Sequence, residues 1–200
     1  MSFLVPSLTS PFGLLLKKRS IFVSYHHFRD QLYYDDFSRV FSDTYDVIED
    51  NSVDRILDSD DPEYVIRRIR EGHITGSSCT IVLCGPETPW RKYIDWEIKA
   101  TLDKEHGIIG INLPNNPKNH LGNVYVPVRL YDNILSGYAI WINWEQLNIN
   151  SLKLYIELAI NRPKSLINNE RGMRKRNGEN YGNPFERLFL SESWPGKTIR

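Results

Sequence analysis

The sequence predicts an α/β domain, a mainly parallel sheet of about five strands with helices on both faces. Three observations carry this. Short, β-rich, nearly charge-free runs recur at Ser20–Tyr25, Cys79–Cys84 and Gly107–Leu113, as strands covered on both faces require. Segments with apolar residues at helical spacing separate them, at 28–41, from 61 to about 70, and at 89–105. The chain has 200 residues, enough for one domain that buries about 70% of its unfolded surface.

Ser20-Ile-Phe-Val-Ser-Tyr25 reads as a central first strand. The polar loop residues His26, His27, Arg29 and Asp30 follow. Phe28–Phe41 is expected to be a helix with Leu32, Phe37, Val40 and Phe41 along its inner stripe. Tyr45–Glu49 is shorter and more polar, hence an edge strand. Residues 50–61, rich in Asp, Ser and Asn, form a connector or a functional loop. Asp61-Pro62-Glu63 starts a helix, with a capping acid, a first-turn proline and an acid at the positive dipole end. Val65, Ile66 and Ile69 give it an inner face.

Cys79–Cys84 is the third strand, stopped by Gly85-Pro86. Pro89 suits the first turn of the next helix. On it, Trp96 and Glu97 lie three and four residues beyond Tyr93, so all three share one face. Gly107–Leu113 is the fourth strand. Tyr125–Leu130 is expected as the fifth, at an edge or bulge because of Pro127, and Tyr138–Trp144 as a further short strand. A helix capped by Asn150 or Ser151 ends before Pro163. The chain thus divides into an N-terminal extension (1–18), a main domain (19–162) and a largely irregular tail (163–200). The tail is expected to dock through Phe185, Leu188, Phe189 and Trp194, with the basic run Arg171–Arg176 as a solvated loop.

Basic and acidic residues balance at 25 each. That excludes a protein whose whole surface recognises nucleic acid or a membrane. Cys79 and Cys84, five apart on one strand, face opposite sides and do not pair. No metal-ligand spacing is present, so neither metal nor cofactor is expected, and the reduced thiols point to the cytoplasm. Met1–Leu16 is apolar, but Lys17-Lys18-Arg19 follow the apolar run rather than precede it. A secretory leader has the opposite order, and the run is too short to span a bilayer.

Alternating strands and helices with right-handed crossovers favour the flavodoxin-like strand order 2-1-3-4-5. Strands 1 and 3 are then neighbours at the switch point, where open α/β sheets bind ligands at their carboxyl ends. The segment leaving strand 1 carries Ser24, Tyr25 and His26. The segment leaving strand 3 leads to the helix with Glu97, about 9–12 Å beyond the helix start, so Glu97 reaches a ligand only if the cleft runs down that side. No phosphate-binding glycine loop follows a strand. A phospho-acceptor site wants acidic residues at the ends of strands 1 and 3, where Ser-Tyr-His and Cys-Gly-Pro stand. Cys84 is readable as a nucleophile or, inside an apolar strand, as core. Ser24 is readable as a nucleophile with His26 or as a ligand-binding hydroxyl. Tyr93 and Trp96 are readable as packing or as a base-stacking platform.

The run Ile21-Phe-Val-Ser-Tyr-His26, then Thr80–Thr88, then Trp90-Arg-Lys-Tyr-Ile-Asp-Trp-Glu-Ile98, then Ile108–Ile111 resembles the TIR-like domains of bacterial antiphage systems, the Thoeris group especially. The resemblance covers 20 to about 145. It implies a TIR-like enzyme that cleaves NAD at the nicotinamide–ribose bond with one glutamate, here Glu97, and makes a cyclic or conjugated ADP-ribose signal that activates a separate effector. Many relatives carry Trp four residues before that glutamate; here Tyr93 stands there and Trp96 sits directly before Glu97. The nicotinamide of NAD is already cationic and leaves unprotonated, so one ionised carboxylate suffices to stabilise an oxocarbenium-like ribosyl cation, unlike the carboxylate pair of ordinary glycosidases. On this reading Ser24, Tyr25, His26, Tyr93 and Trp96 line the nucleotide pocket, and Arg91 meets a phosphate. The alternative is a non-catalytic TIR-like module that self-associates through the 50–61 loop and helix faces.

Overall fold

The structure, a computed structural model, describes residues 18–49, 62–120, 122–178 and 189–191. The 50–61 loop, the N-terminal extension before Lys18, and Phe185, Leu188 and Trp194 lie outside the described residues.

Five parallel strands form the sheet: β1 (Arg19–Ser24), β2 (Tyr45–Glu49), β3 (Cys79–Cys84), β4 (Gly107–Asn112) and β6 (Ile140–Asn143), in the order β2-β1-β3-β4-β6. The fold is therefore doubly wound, with β1 beside β3 at the switch point; Phe22 pairs with Thr80, and Thr80 with Ile108. Helices α1 (His27–Phe41) and α5 (Ile149–Ile160) cover one face. There Ile21, Val23, Phe37, Ile81, Leu83, Ile109 and Ile156 make one core. Helices α2 (Pro62–Ile69), α3 (Lys92–Asp103) and α4 (Val128–Ser136) cover the other. Val82, Ile94, Ile98 and Leu130 pack in one cluster there, and Phe22, Ile66, Ile69, Trp96 and Ala100 in a second. Cys79 falls in the first core and Cys84 on the opposite face. Both thiols are free, and burial pushes both well above the ordinary range, which makes them inert core residues. Among the described residues no helix is long and apolar enough to cross a membrane.

Three expectations about the strands and helices are corrected. The run Tyr125–Leu130 is not one strand. Asn123–Tyr125 is a short strand, β5, paired antiparallel with β7 (Phe189–Ser191) in a separate two-stranded sheet. Pro127 is instead the N-cap of α4; without an N–H it cannot serve a central strand, yet it costs nothing at a helix start. The fifth place in the sheet goes to β6, whose alternating burial marks a half-covered edge. Secondly, the inner stripe of α1 is Asp30, Tyr34, Phe37 and Phe41, while Leu32 is 77% and Val40 43% exposed. Thirdly, Asn148 rather than Asn150 or Ser151 caps α5, accepting from both of their N–H groups at 3.0 Å.

Gly107 shows how closely α5 lies on the sheet. A Cβ there would sit 2.9 Å from the backbone of Ala159 and Ile160. Gly107→Ala is expected to lower stability by about 1–3 kcal/mol, the usual cost of overpacking against an element that must move. A urea midpoint equal to wild type would show that α5 yields freely.

The basic run is a solvated loop only in part: Lys175 and Arg176 are exposed, but Arg174 and Arg171 are engaged. Residues 167–178 form a strap across α3 and α4. Arg174 is 3% exposed, and Arg171 pairs with Asp132 at 2.7 Å. The Asn133 amide donates to the Asn168 carbonyl at 2.7 Å and its oxygen accepts the Asn168 N–H at 3.0 Å. Fully buried Arg129 donates to Asp95 (3.0 Å), to the Asn169 side chain (2.8 Å) and to the Gly172 carbonyl (2.9 Å). Asp95 in turn accepts the Arg174 N–H at 2.9 Å. The strap's polar composition reads as solvated because its partners come from distant helices.

Candidate functional site

Helix α3 delivers its first turns to the carboxyl edge of the sheet beside the exit of β1. Its register on β3 is held by a buried Thr80–Thr101 hydroxyl contact of 2.7 Å, and Thr101 donates onward to the Glu97 carbonyl at 2.8 Å. A small cleft opens there, lined by Tyr25, His26 and His27 from the β1 exit and by Arg91, Tyr93, Ile94 and Glu97 from the α3 side. The cleft therefore runs down the helix as far as Glu97. Glu97 lines the cleft while only 1% exposed.

The other expected site residues distribute unevenly. Tyr25 lines the cleft while packed, stacked on Tyr34 at 4.5 Å and donating its hydroxyl to Gln31 at 3.0 Å. His26 is 7% exposed, with Nε2 4.0 Å from the Glu87 carboxylate. Ser24 is fully buried, and its Oγ has no hydrogen-bond partner. Strand alternation puts it on the same side of β1 as Phe22, which packs with Trp96 and Ala100 of α3. An orphaned hydroxyl on that side suits a ligand oxygen, because a buried polar group without a partner costs about 1–3 kcal/mol. Trp96 is turned away from the cleft: it is 4% exposed and donates its indole N–H to the Arg174 carbonyl at 2.8 Å. Tyr93 lies between, edge-on to Trp96 at 5.4 Å and lining the cleft. Arg91 pairs with Glu87 and also lines the cleft.

A network below the cleft escapes sequence reasoning. Asp30 on α1 is fully buried. It accepts from the Thr88 hydroxyl at 3.1 Å and from the Asn115 amide at 3.0 Å. Thr88 in turn accepts the Gly85 N–H at 3.0 Å. A Cβ at Gly85 would come 2.1 Å from the Asp30 carboxylate, so only glycine fits. The signal available in the sequence was an acid at the head of a helical apolar stripe, Asp30-Tyr34-Phe37-Phe41. This network ties the exits of β1, β3 and β4 together and so positions both walls of the cleft.

Burial is the main cause that raises the Asp30 carboxyl above its ordinary 3.8, against the lowering by Asn115, Thr88 and Arg29. A folded value above the unfolded one means that the ionised form destabilises the fold. The penalty is present at neutral pH and fades as pH falls through the folded value toward 3.8. The unfolding free energy of wild type minus that of Asp30→Asn is therefore expected to rise as pH is lowered from 7 to 4. Parallel urea titrations check it; a flat or falling difference would refute it.

Chemically, the cleft offers one buried carboxylate, Glu97, and one guanidinium, Arg91; the orphaned Ser24 hydroxyl at the end of β1 is not among the described residues lining it. Glu97 is the single acid among the described residues lining the cleft. A carboxylate in such a water-poor site stabilises developing positive charge strongly. Among the described residues no cluster of three or more His, Cys, Asp or Glu could hold a metal ion.

Residues 22–118 match the family model described as Thoeris protein ThsB, TIR-like domain. Ser24, every cleft-lining residue and Glu97 fall within that range. No curated protein matches the chain.

Proposed function

We propose that this chain, a Thoeris-type TIR-like protein with a role in antiphage defence, is an enzyme that cleaves NAD at the nicotinamide–ribose bond and turns the ADP-ribosyl group into a signalling molecule. The observation that carries this reading is Glu97, 1% exposed yet lining the cleft where the exits of β1 and β3 converge.

The positively charged nicotinamide needs no proton to leave. The electron pair of the ribosyl C1′–N bond goes with it, and the ribose acquires oxocarbenium character. Glu97, ionised and fixed by α3, stabilises that charge and accepts a hydrogen bond from a ribose hydroxyl. Ser24 holds a second ribose oxygen. Tyr93 and the β1-exit residues Tyr25 and His26 close the pocket around the nucleotide, and Arg91 meets its phosphates. Trp96 acts from behind by fixing Tyr93. A nucleophile, water or a second oxygen or nitrogen of the nucleotide itself, then takes C1′. NAD is the substrate, no metal or cofactor takes part, and the released product activates an effector without direct contact. The reaction takes place in the cytoplasm.

The test is product analysis of phage-infected cells expressing wild type or Glu97→Gln. Nicotinamide release and a new ADP-ribose derivative with wild type alone support the reading. Equal products from both, or none from either, refute it.

A non-catalytic assembly module is the second reading. It is favoured by Phe28 and Leu32, 83% and 77% exposed one turn apart on α1, which would meet a second copy of the chain. Full protection by Glu97→Gln, lost in Phe28→Ser/Leu32→Ser, would select it.

A further inference from the structure

Beside the cleft lies an ionic knot centred on Glu87, to which, as to Arg29, the proposed chemistry gives no role. Glu87 follows the Gly85-Pro86 stop of β3. Three nitrogen groups converge on its carboxylate: the Arg91 guanidinium, Arg29 Nε at 3.1 Å and His26 Nε2 at 4.0 Å. Two guanidinium charges thus face one carboxylate, leaving the knot net positive before any histidine protonates. Only part of the Arg91 fork is used, because its Nε–H is buried and has no hydrogen-bond acceptor.

Arginine's planar fork accepts two oxygens of one anion side-on, through Nε and Nη. Here the carboxylate of Glu87 takes Nη2 and leaves Nε empty. Arg91 is the N-cap of α3, six residues before Glu97, or about 9 Å along the helix. The same cleft joins them. In a dinucleotide the ribose that meets Glu97 bears its diphosphate on the 5′ carbon, a short reach away in that direction.

We propose that Arg91 and Arg29 form the diphosphate subsite of this cleft, and that Glu87 occupies it as an internal competing anion until a ligand's diphosphate displaces it. The inference rests on the dinucleotide reading above, which already gives Arg91 a phosphate, and adds Arg29 and the displaceable Glu87. The exchange is energetically easy. Glu87, Arg91 and Arg29 keep 32%, 29% and 57% of their side-chain surface exposed, and ion pairs that wet contribute little net free energy. A diphosphate brings two negative charges and more oxygens, enough to fill the unused Nε–H. The backbone need not move, because neighbouring Thr88 is fully buried and bonded to Asp30 and the Gly85 N–H. Only the Glu87 side chain has to rotate out.

The experiment is calorimetric titration of ADP-ribose into wild type, Glu87→Gln, Arg91→Gln and Arg29→Gln, with adenosine as the probe that lacks phosphate. Glu87→Gln removes the competing charge at constant shape and is expected to bind ADP-ribose about tenfold tighter than wild type. Adenosine binding should stay the same. Arg91→Gln should weaken ADP-ribose about tenfold and exposed Arg29→Gln about threefold, in both the wild-type and Glu87→Gln backgrounds. Unchanged or weaker ADP-ribose binding in Glu87→Gln, an equal gain for adenosine, or no measurable binding by any folded variant overturns the proposal. Thermal melts establish folding. Nicotinamide release is measured separately: tighter ADP-ribose binding with no turnover by wild type upholds the subsite and sinks the NAD-cleaving reading, while turnover with no Glu87 effect does the reverse.

Discussion

Arg129→Met is expected to destabilise the protein by about 3–5 kcal/mol, the cost of removing one partner of a buried ion pair. Arg129 is fully buried and Asp95 6% exposed. The guanidinium uses Nε and Nη2 on Asp95, Nη1 on Asn169 and Nη2 again on the Gly172 carbonyl. Methionine fills similar volume but donates nothing. The Asp95 carboxylate would stay in a dry interface with the Arg174 N–H as its remaining contact, and two strap acceptors would lose their donor. At this chain length each kcal/mol moves the thermal midpoint by about 2–4 °C, so a fall of about 6–20 °C is expected by calorimetry. The double replacement Arg129→Met/Asp95→Leu removes both charges together and should recover much of the loss, because desolvation of the pair offsets most of its attraction. A single variant as stable as wild type would mean that the strap does not depend on this pair. The strap also holds Trp96 through the Arg174 carbonyl, and Trp96 backs Tyr93. Loosening it should therefore disturb the cleft as well as the fold.

Glu97→Gln is expected to cut NAD cleavage by about 10²–10³-fold, the usual loss when one charge-stabilising group is removed from an enclosed site. Glutamine keeps the shape and the hydrogen-bonding oxygen, so the loss should fall on kcat with KM little changed, as for a group that acts on the transition state. Glu97→Asp keeps the charge but draws it back by one methylene, and should lie between the two. Steady-state nicotinamide release checks all three proteins. Turnover by Glu97→Gln at the wild-type rate would remove this carboxylate from the chemistry.

The two halves of the cleft were unequally legible. The β1 exit and Glu97 could be placed together from the sequence, because an open parallel sheet brings the ends of strands 1 and 3 side by side whatever their side chains. The direction of Trp96 could not. Three residues before or after an aromatic on a helix leaves it at the border of two faces, and the choice was made by an acceptor 78 positions away, the Arg174 carbonyl. Asp30 was hidden for a related reason. An acid next to Arg29 in a loop-to-helix transition reads as solvated, and only the folded chain supplies Thr88 and Asn115 to satisfy it in the core. The same holds for Tyr125–Leu130, where β-rich composition suggested a strand and Pro127, as an N-cap, turned it into a helix.

What the sequence alone determined is the alternation: which runs are strands buried on both faces, that they are parallel, that β1 and β3 meet at the switch point, and that the two cysteines face apart. Those are consequences of periodicity and chain connectivity, and both are local or topological. What only the tertiary structure decided is long-range polar pairing. It set the strap's hold on α3 and α4, the burial of Asp30 against Gly85, and the convergence of Arg29 and Arg91 on Glu87. Hydrogen bonds and ion pairs between residues tens of positions apart leave no period in a sequence, and a polar residue reads the same whether water or a distant partner will satisfy it.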